Sequence, residues 1–301
     1  MANPADTLYS IVRETVAGTT PATPAFKNLD ALSGSGFTFE TPMITSDALK
    51  QNRGIAANRR GAGSSTGTLS TEFRRDTTND LLIEGALGGT FASDVVTAGS
   101  TDLYHTVEKK MVDGATNMYF RYNGCLVSSM SLTVDAKSKG ELSFGLTGMG
   151  ETKQTAIITG ATYSAPAQGM MLIGSDVGSI SLGGASAQYA SMEFSVETSR
   201  EAEFGLFNQN AIGVSTGANR TVKLTIKAYR RSLALDTLFA TDAPIPVEFS
   251  IGGVGTGYKF TMPAMVASAP KDEISGNSGL IAIELWAQND ATGVDLKVTR
   301  L

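Results

Sequence analysis

Phe37-Thr38-Phe39-Glu40-Thr41 returns later in the chain as Phe194-Ser195-Val196-Glu197-Thr198, at an offset of 157 (37 to 194). Further on, Phe73-Arg74-Arg75 returns as Tyr229-Arg230-Arg231 at 156 (73 to 229), and Asp80 and Leu82 meet Asp236 and Leu238 at that same spacing. A one-residue indel in the intervening loop reconciles the two registers. Two ordered matches at nearly one offset mark an internal repeat, and a repeat of domain length implies one fold written twice. Phe37, Phe39 and Thr41 alternate with polar neighbours, the period of a half-buried strand. Thr221–Tyr229 alternates strictly, with Val222, Leu224, Ile226 and Ala228 on one face and lysines and threonines on the other. The expectation is an all-β chain of two tandem β-sandwich domains, each with one short flanking helix.

The expected organisation is an N-terminal arm over residues 1–26, a first repeat over 27–152, a connection over 153–184 and a second repeat over 185–301. Pro21 and Pro24 hold the arm extended and keep it out of any helix. Pro42–Ser65 is long, polar and glycine-rich and carries Arg53, Arg59 and Arg60, so it reads as a protruding hairpin or loop. Asp76, Thr77 or Thr78 caps a short helix that stops at Gly88-Gly89, and Ser232–Phe239 is its counterpart. Tyr104–Lys110, Met118–Tyr122 with Leu126–Val127, Ser129–Val134 and Glu141–Leu146 read as separate strands. In the second half Met192–Thr198, Val247–Ile251, Gly257–Met262 and Gly279–Ala287 follow the same order. Phe120 pairs with Phe260, and Gly140-Glu141-Leu142 with Gly279-Leu280-Ile281, at an offset fallen to about 140 because the first repeat carries extra residues between Gly89 and Asp102. Met170–Gly174 and Gly178–Gly183 read as short strands within the connection.

Composition excludes several functions. Of 301 residues 42% are hydrophobic and 18% charged, with 33 glycines against nine prolines, a globular β-type profile rather than a disordered one. A net charge of −5 argues against a phosphate-gripping surface. The single cysteine, Cys125, rules out an intrachain disulfide framework and reads as a small buried hydrophobe. His105, the single histidine, sits in an alternating stretch and reads as a solvent-facing or hydrogen-bonded strand residue. One His and one Cys do not make a transition-metal shell or an oriented thiol–imidazole pair, so no metal, cofactor or catalytic residue is expected. Gly252–Gly257 is followed by the strand-like Tyr258–Met262 and not by a helix, so it reads as a turn and not a phosphate loop. No apolar run approaches the roughly 20 residues of a membrane helix, and no secretory signal opens the chain, so the expected place of synthesis is a reducing cytoplasm.

The ordered set of Leu8–Thr15, the Thr-Pro arm, the Phe-x-Phe-Glu-Thr strand and the strand–helix unit Thr66–Gly88, repeated in the second half, resembles the major tail tube proteins of phages with long non-contractile tails. The resemblance covers nearly the whole chain and implies a sandwich domain with a flanking helix. In such proteins six domains form a ring with a continuous inner β-barrel, and the rings stack into a tube for the genome. For a duplicated chain it implies homotrimeric, pseudo-sixfold rings. It also implies duplex DNA in the lumen without specific binding, a place in the virion tail, and tape-measure, tail terminator and distal tail proteins as partners. Arms and long loops would join rings, which makes Pro21, Pro24, Arg53, Arg59 and Arg60 contact candidates; Arg74, Arg75, Arg230 and Arg231, between strand and helix in each repeat, are candidates for an equivalent intersubunit contact. The alternatives are another ring component, such as a tail terminator, decoration or secretion-tube protein, and a carbohydrate-binding sandwich.

Overall fold

The computed structural model describes residues 7–48, 50, 52, 54–165, 169–185, 187–217, 219–240, 243–275 and 278–301. The first half runs through β1 (Leu8–Arg13), β2 (Ala25–Leu29), β3 (Gly36–Glu40), β4 (Met43–Thr45), β5 (Asn58–Arg60), β6 (Ser64–Glu72) and α1 (Thr77–Leu87). It continues with β7 (Val95–Thr97), β8 (His105–Asp113), β9 (Thr116–Asp135), β10 (Glu141–Gly148) and β11 (Gly150–Gln154). The connection supplies β12 (Thr162–Ser164) and β13 (Val177–Leu182). The second half holds β14 (Tyr189–Glu197), β15 (Ala202–Glu203), β16 (Gly213–Val214), β17 (Thr221–Tyr229) and α2 (Ala234–Ala240). After these come β18 (Ile245–Ile251), β19 (Tyr258–Ala267), β20 (Lys271–Ser275), β21 (Ser278–Ala287) and β22 (Lys297–Arg300).

One antiparallel sheet spans both halves in the order β3-β6-β10-β9-β14-β17-β21-β20. Only the C-terminal part of β9 lies in it. The N-terminal part bends away into a second layer, β12-β2-β1-β8-β9-β11, in which only β12–β2 is parallel. A third layer, β13-β18-β19-β22-β7, backs the second half. The core fills the space behind the shared sheet. Phe37 packs on Tyr122 with ring centroids 4.6 Å apart, and Phe194, Phe249 and Phe260 form a cluster at 4.7–5.5 Å. Each such buried ring is worth about 2–3 kcal/mol.

The same connectivity occurs twice: β1, β3, β6, α1, β8, β9, β10 and β11 are answered by β13, β14, β17, α2, β18, β19 with β20, β21 and β22. The registers agree as well. Phe37 faces Gly67 as Phe194 faces Leu224, Thr71 faces Leu142 as Ala228 faces Ile281, and Leu132 faces Leu142 as Asp272 faces Ile281. These registers correct the motif alignment. Phe73 donates its N–H to the Gly140 carbonyl and Arg230 donates to Gly279, so Arg230 stands where Phe73 does and the offset stays at 157 to the end of β17. The indel lies in the turn before the helix, and Arg74 has Arg231 as its counterpart, not Arg230.

Several expected boundaries move for identifiable reasons. Leu8–Arg13, placed in the arm, is a strand between β2 and β8 with Tyr9, Ile11 and Val12 buried; the prolines that break the chain come only afterwards. The connection carries strands as expected, and they are built into the sheets: β12 and β13 belong to the second and third layers. Met170–Gly174 is no strand, although Leu172 is buried and bonds Phe73 and Gly140 through its backbone. The separate strands expected over 118–134 are one strand, β9. Its counterpart is broken into β19 and β20, with Pro270 in the gap, because proline supplies no ladder donor. The extra residues before Asp102 form β7, which crosses to pair with β22 of the second half.

The helices differ in environment. Asp76 caps α1 by accepting from Thr78 and Asn79 N–H at 2.6 and 2.7 Å, and Gly88 ends it with a left-handed φ of 64°. Leu82, Ile83 and Leu87 are fully buried, so α1 packs tightly against the core over most of its length. It lacks a basic residue in its last turn. Arg220 of the second half supplies one, donating to the Leu87 and Gly99 carbonyls at 3.1 and 2.9 Å while gripping Asp295 with two bonds. Beside α1, Arg13 pairs with Glu84 at 2.6 Å.

His105 is fully buried, contrary to the expectation of a solvent-facing or bonded residue, and opposes Cys125 across β8–β9. Burial, reinforced by the nearby Arg13 charge, pushes its pKa down to about 3, with the Cys125 backbone offsetting only part. Above pH 6.5 folded and unfolded chains both carry the neutral ring; below it only the unfolded chain takes up the proton, so stability falls by ~1.4 kcal/mol per pH unit until about pH 3. Urea unfolding at pH 7 and pH 4.5 should therefore show a His105→Leu variant losing about 2–3 kcal/mol less than the parent over that interval. Equal losses would mean that the ring is not held neutral.

Candidate assembly surface

The face of the shared sheet turned away from the core carries the alternate residues of each strand. It is built from small hydroxyl side chains, of which Thr66, Thr68, Ser131, Thr133, Ser143 and Ser195 are representative. Along the first half it adds the carboxylates Glu40, Glu72, Asp135 and Glu141; along the second, Glu193, Glu197, Glu273 and Glu284. Its lysines are Lys223, Lys227 and Lys271. The first two are neutralised by Glu284 at 3.2 Å and Glu273 at 2.7 Å. Lys139, at the β9–β10 turn, bonds Glu72 and holds its carboxyl below the ordinary range despite partial burial, with Arg74 adding to the effect. Carboxylates thus outnumber cations on this face. Trp286 lies there too, with Lys223 Nζ 5.1 Å from its ring centre.

Two hairpins leave the same end of the sheet, each between the first and second strands that its half contributes to it. β4 pairs with β5 and exposes Met43 and Ile44; β15 pairs with β16. The second hairpin bares Phe204, Leu206, Phe207 and Ile212, with Leu206 87% and Phe207 104% exposed. The two are stitched together where Gly63 N–H donates to Gln209 and Ala211 N–H donates back to Gly63, at 3.0 and 2.9 Å. Apolar side chains this exposed mark an interaction surface rather than a core. At the lateral ends of the sheet, β3 and β20 each pair on one side only among the described residues.

A family model of phage tail tube proteins matches residues 4–293. This chain belongs to the phage tail tube protein family. No curated protein matches the sequence. The family is one of structural tail components, which agrees with the all-β architecture and makes this a constituent of a virion tail.

Within this tail tube protein the residues singled out by sequence are scattered. Arg59 and Arg60 are exposed on β5, and Arg53 lies outside the described residues. Arg74 pairs with Glu72 at 2.6 Å and Asp30 at 3.3 Å; Arg75 donates to the Leu301 carbonyl at 2.6 Å and lies 3.9 Å from Asp94. Arg230 pairs with Asp236 at 2.7 Å and Asp272 at 3.3 Å, while Arg231 is exposed. Pro21 is half-buried and Pro24 buried, its carbonyl accepting from Thr162 N–H. The surface residues that sequence reading passed over are Phe204, Leu206, Phe207 and Ile274. Apolar residues in a short glycine-bearing loop were the available signal.

Side chains exposed to this degree add nothing to the stability of the lone subunit. Leu206→Ser with Phe207→Ser should leave urea unfolding of the monomer within about 0.5 kcal/mol of the parent. A loss of several kcal/mol would assign them to the core.

Proposed function

We propose that this chain is the major tail tube subunit of a long, non-contractile tail, and that three copies close a pseudo-sixfold ring. In this reading two copies of one ancestral tube domain, centred on 27–152 and 185–301, supply six near-equivalent units. Rings stack into a tube through which duplex DNA passes without specific binding. The observation that carries the reading is the single sheet spanning both halves, open at both lateral edges and faced with hydroxyls and carboxylates. Contacts of one surface with a different surface on the next copy close into rings, and a further axial contact extends them into filaments. A wall of this chemistry passes a polyanion without gripping it, since each unpaired cation would act as a brake.

The hairpin within Pro42–Ser65, with Arg59 and Arg60, joins one ring to the next, helped by the 202–214 hairpin and the 153–184 connection. Pro21, Pro24, Arg75 and Arg231 lie at further contacts, and Arg74 and Arg230 act through the carboxylates they already hold. A tape-measure protein, a tail terminator and distal tail proteins complete the assembly, which is made in the host cytoplasm.

Negative-stain electron microscopy of the purified protein tests this, with long hollow filaments as the expected result. Isolated rings or capsid-bound copies would instead make it another ring component, and a glycan-binding monomer would overturn the reading. The loop role has its own test. Because Thr45 faces Asn58, replacing residues 46–57 with Asn-Gly closes β4–β5 by a two-residue turn. That variant should fold and yet fail to form filaments; filaments of parental length would remove the loop from the ring-to-ring contact.

A further inference from the structure

The two halves meet in the shared sheet through β9 and β14, antiparallel, with Ser131 opposite Ser195, Leu132 opposite Phe194 and Thr133 opposite Glu193. The counterpart of β14 in the first half is β3, with Phe37 in the place of Phe194. The counterpart of this part of β9 in the second half is β20, with Asp272 in the place of Leu132. These equivalences follow from the pairing with β6 and β17 and with β10 and β21. Among the described residues, β3 and β20 are also the two strands of the shared sheet that pair on one side only. Each end of the sheet therefore presents one member of a strand pair that the chain already forms internally.

We infer that the open edge of β20 pairs antiparallel with β3 of a second copy, with Lys271 opposite Thr38, Asp272 opposite Phe37 and Glu273 opposite Gly36. This inference rests on the ring-forming reading above and adds the register to it. Exposure supports it independently. Ile274 is 89% exposed, whereas Val134, which holds the equivalent position in β9, is 3% exposed against Met192 of β14. The missing neighbour of Ile274 is the chain at Ser35. The register sets no like charges opposite one another, because Glu273 meets a glycine and Lys271 a threonine, with Glu40 diagonally beside Lys271. Like charges directly opposite would destabilise the pair. The Asp272 charge remains compensated by Arg230 at 3.3 Å. The Phe37 carbonyl accepts from the Tyr122 hydroxyl and retains a second lone pair.

The test mixes two single variants, so that any bond between them joins different copies. Thr38 and Lys271 are both exposed, and the native Cys125 is fully buried and does not compete. Directly opposite residues lie about 4.5–5.5 Å apart at Cα, within disulfide reach, whereas diagonal neighbours at about 7–8 Å are at or beyond its limit. After mild oxidation under assembling conditions, Thr38→Cys mixed with Lys271→Cys should give at least five-fold more covalent dimer on a non-reducing gel than Glu40→Cys mixed with Lys271→Cys. Assembled particles in which the Glu40→Cys mixture cross-links equally or better would overturn the register and leave the ring-forming reading intact. Failure of the parent protein to form rings or tubes by electron microscopy would overturn that reading and this inference together.

Discussion

The structure depends on the antiparallel pairing of β9 with β14, from Ser129 opposite Glu197 to Asp135 opposite Ser191. Without it each half would own a four-stranded sheet with two open edges. With it there is one sheet, and the two edges at the centre disappear. Open edges are a hazard, since their unpaired N–H and C=O groups recruit any strand at hand. Core-face side chains set the register of the joint: Met130, Leu132 and Val134 interleave with Val196, Phe194 and Met192, all nearly or fully buried. A slip of one residue would turn this set to the polar face and expose it, so the pairing is strongly specified.

The remaining contacts between the halves hold that joint rigid. β7 leaves the first half and completes the third layer beside β22. Arg300 reaches Asp80 at 2.9 Å, and the Tyr258 hydroxyl donates to the same carboxylate at 2.7 Å. Burial and the adjoining Asp80 carboxylate together drive the Tyr258 hydroxyl far above its ordinary pKa, so it remains a donor over the whole working pH range. Arg220 ties the end of α1 to Asp295. A helix enclosed on most sides cannot satisfy its terminal carbonyls with water, which is why a side chain from the other half is required there.

The all-β class, both helices, the cap region at 76–78 and the Gly88-Gly89 stop were legible because each rests on a local rule: period-two alternation, an N-cap acceptor, a glycine at positive φ. Which of the three cap candidates accepts was settled only by the structure, as Asp76. The correspondence of Phe37 with Phe194 holds in the strand registers for the same reason, since both rings fill the core behind the sheet. The Phe-Arg-Arg and Tyr-Arg-Arg match misled by one residue. Identity of side chains took precedence over which face each occupies, and Phe73 is buried where Tyr229 is exposed. The continuity of β9 was hidden by Gly124 and a run of serines, and the crossing of β7 is a tertiary event with no local signature. His105 could not be placed, because alternation tells which residues share a face and not which face is covered. The candidate surface was legible as a long loop, but its apolar tip lies in the shorter loop of the second half.

Comparison of the internal joint with the open edge shows how one strand can serve two purposes. At the three core-face positions where β9 has Met130, Leu132 and Val134, the second half has Pro270, Asp272 and Ile274. The first set forms a permanent apolar seam. In the second set the proline withholds a donor, the aspartate places a charge on the core side, and the isoleucine alone keeps its apolar character. Proline and inward-pointing charge are the devices by which natural edge strands avoid indiscriminate pairing. On the proposed ring-forming reading, a subunit waiting to join a growing assembly needs that restraint, whereas the internal joint, formed once during folding, does not. In the proposed pairing the exposed Ile274 would supply the apolar contact to a correctly placed neighbour, and the Arg230 counter-ion would let Asp272 be covered without leaving an unpaired charge. In that proposed pairing the edge thus resists indiscriminate partners and matches one strand, a combination that the apolar seam between β9 and β14 could not provide.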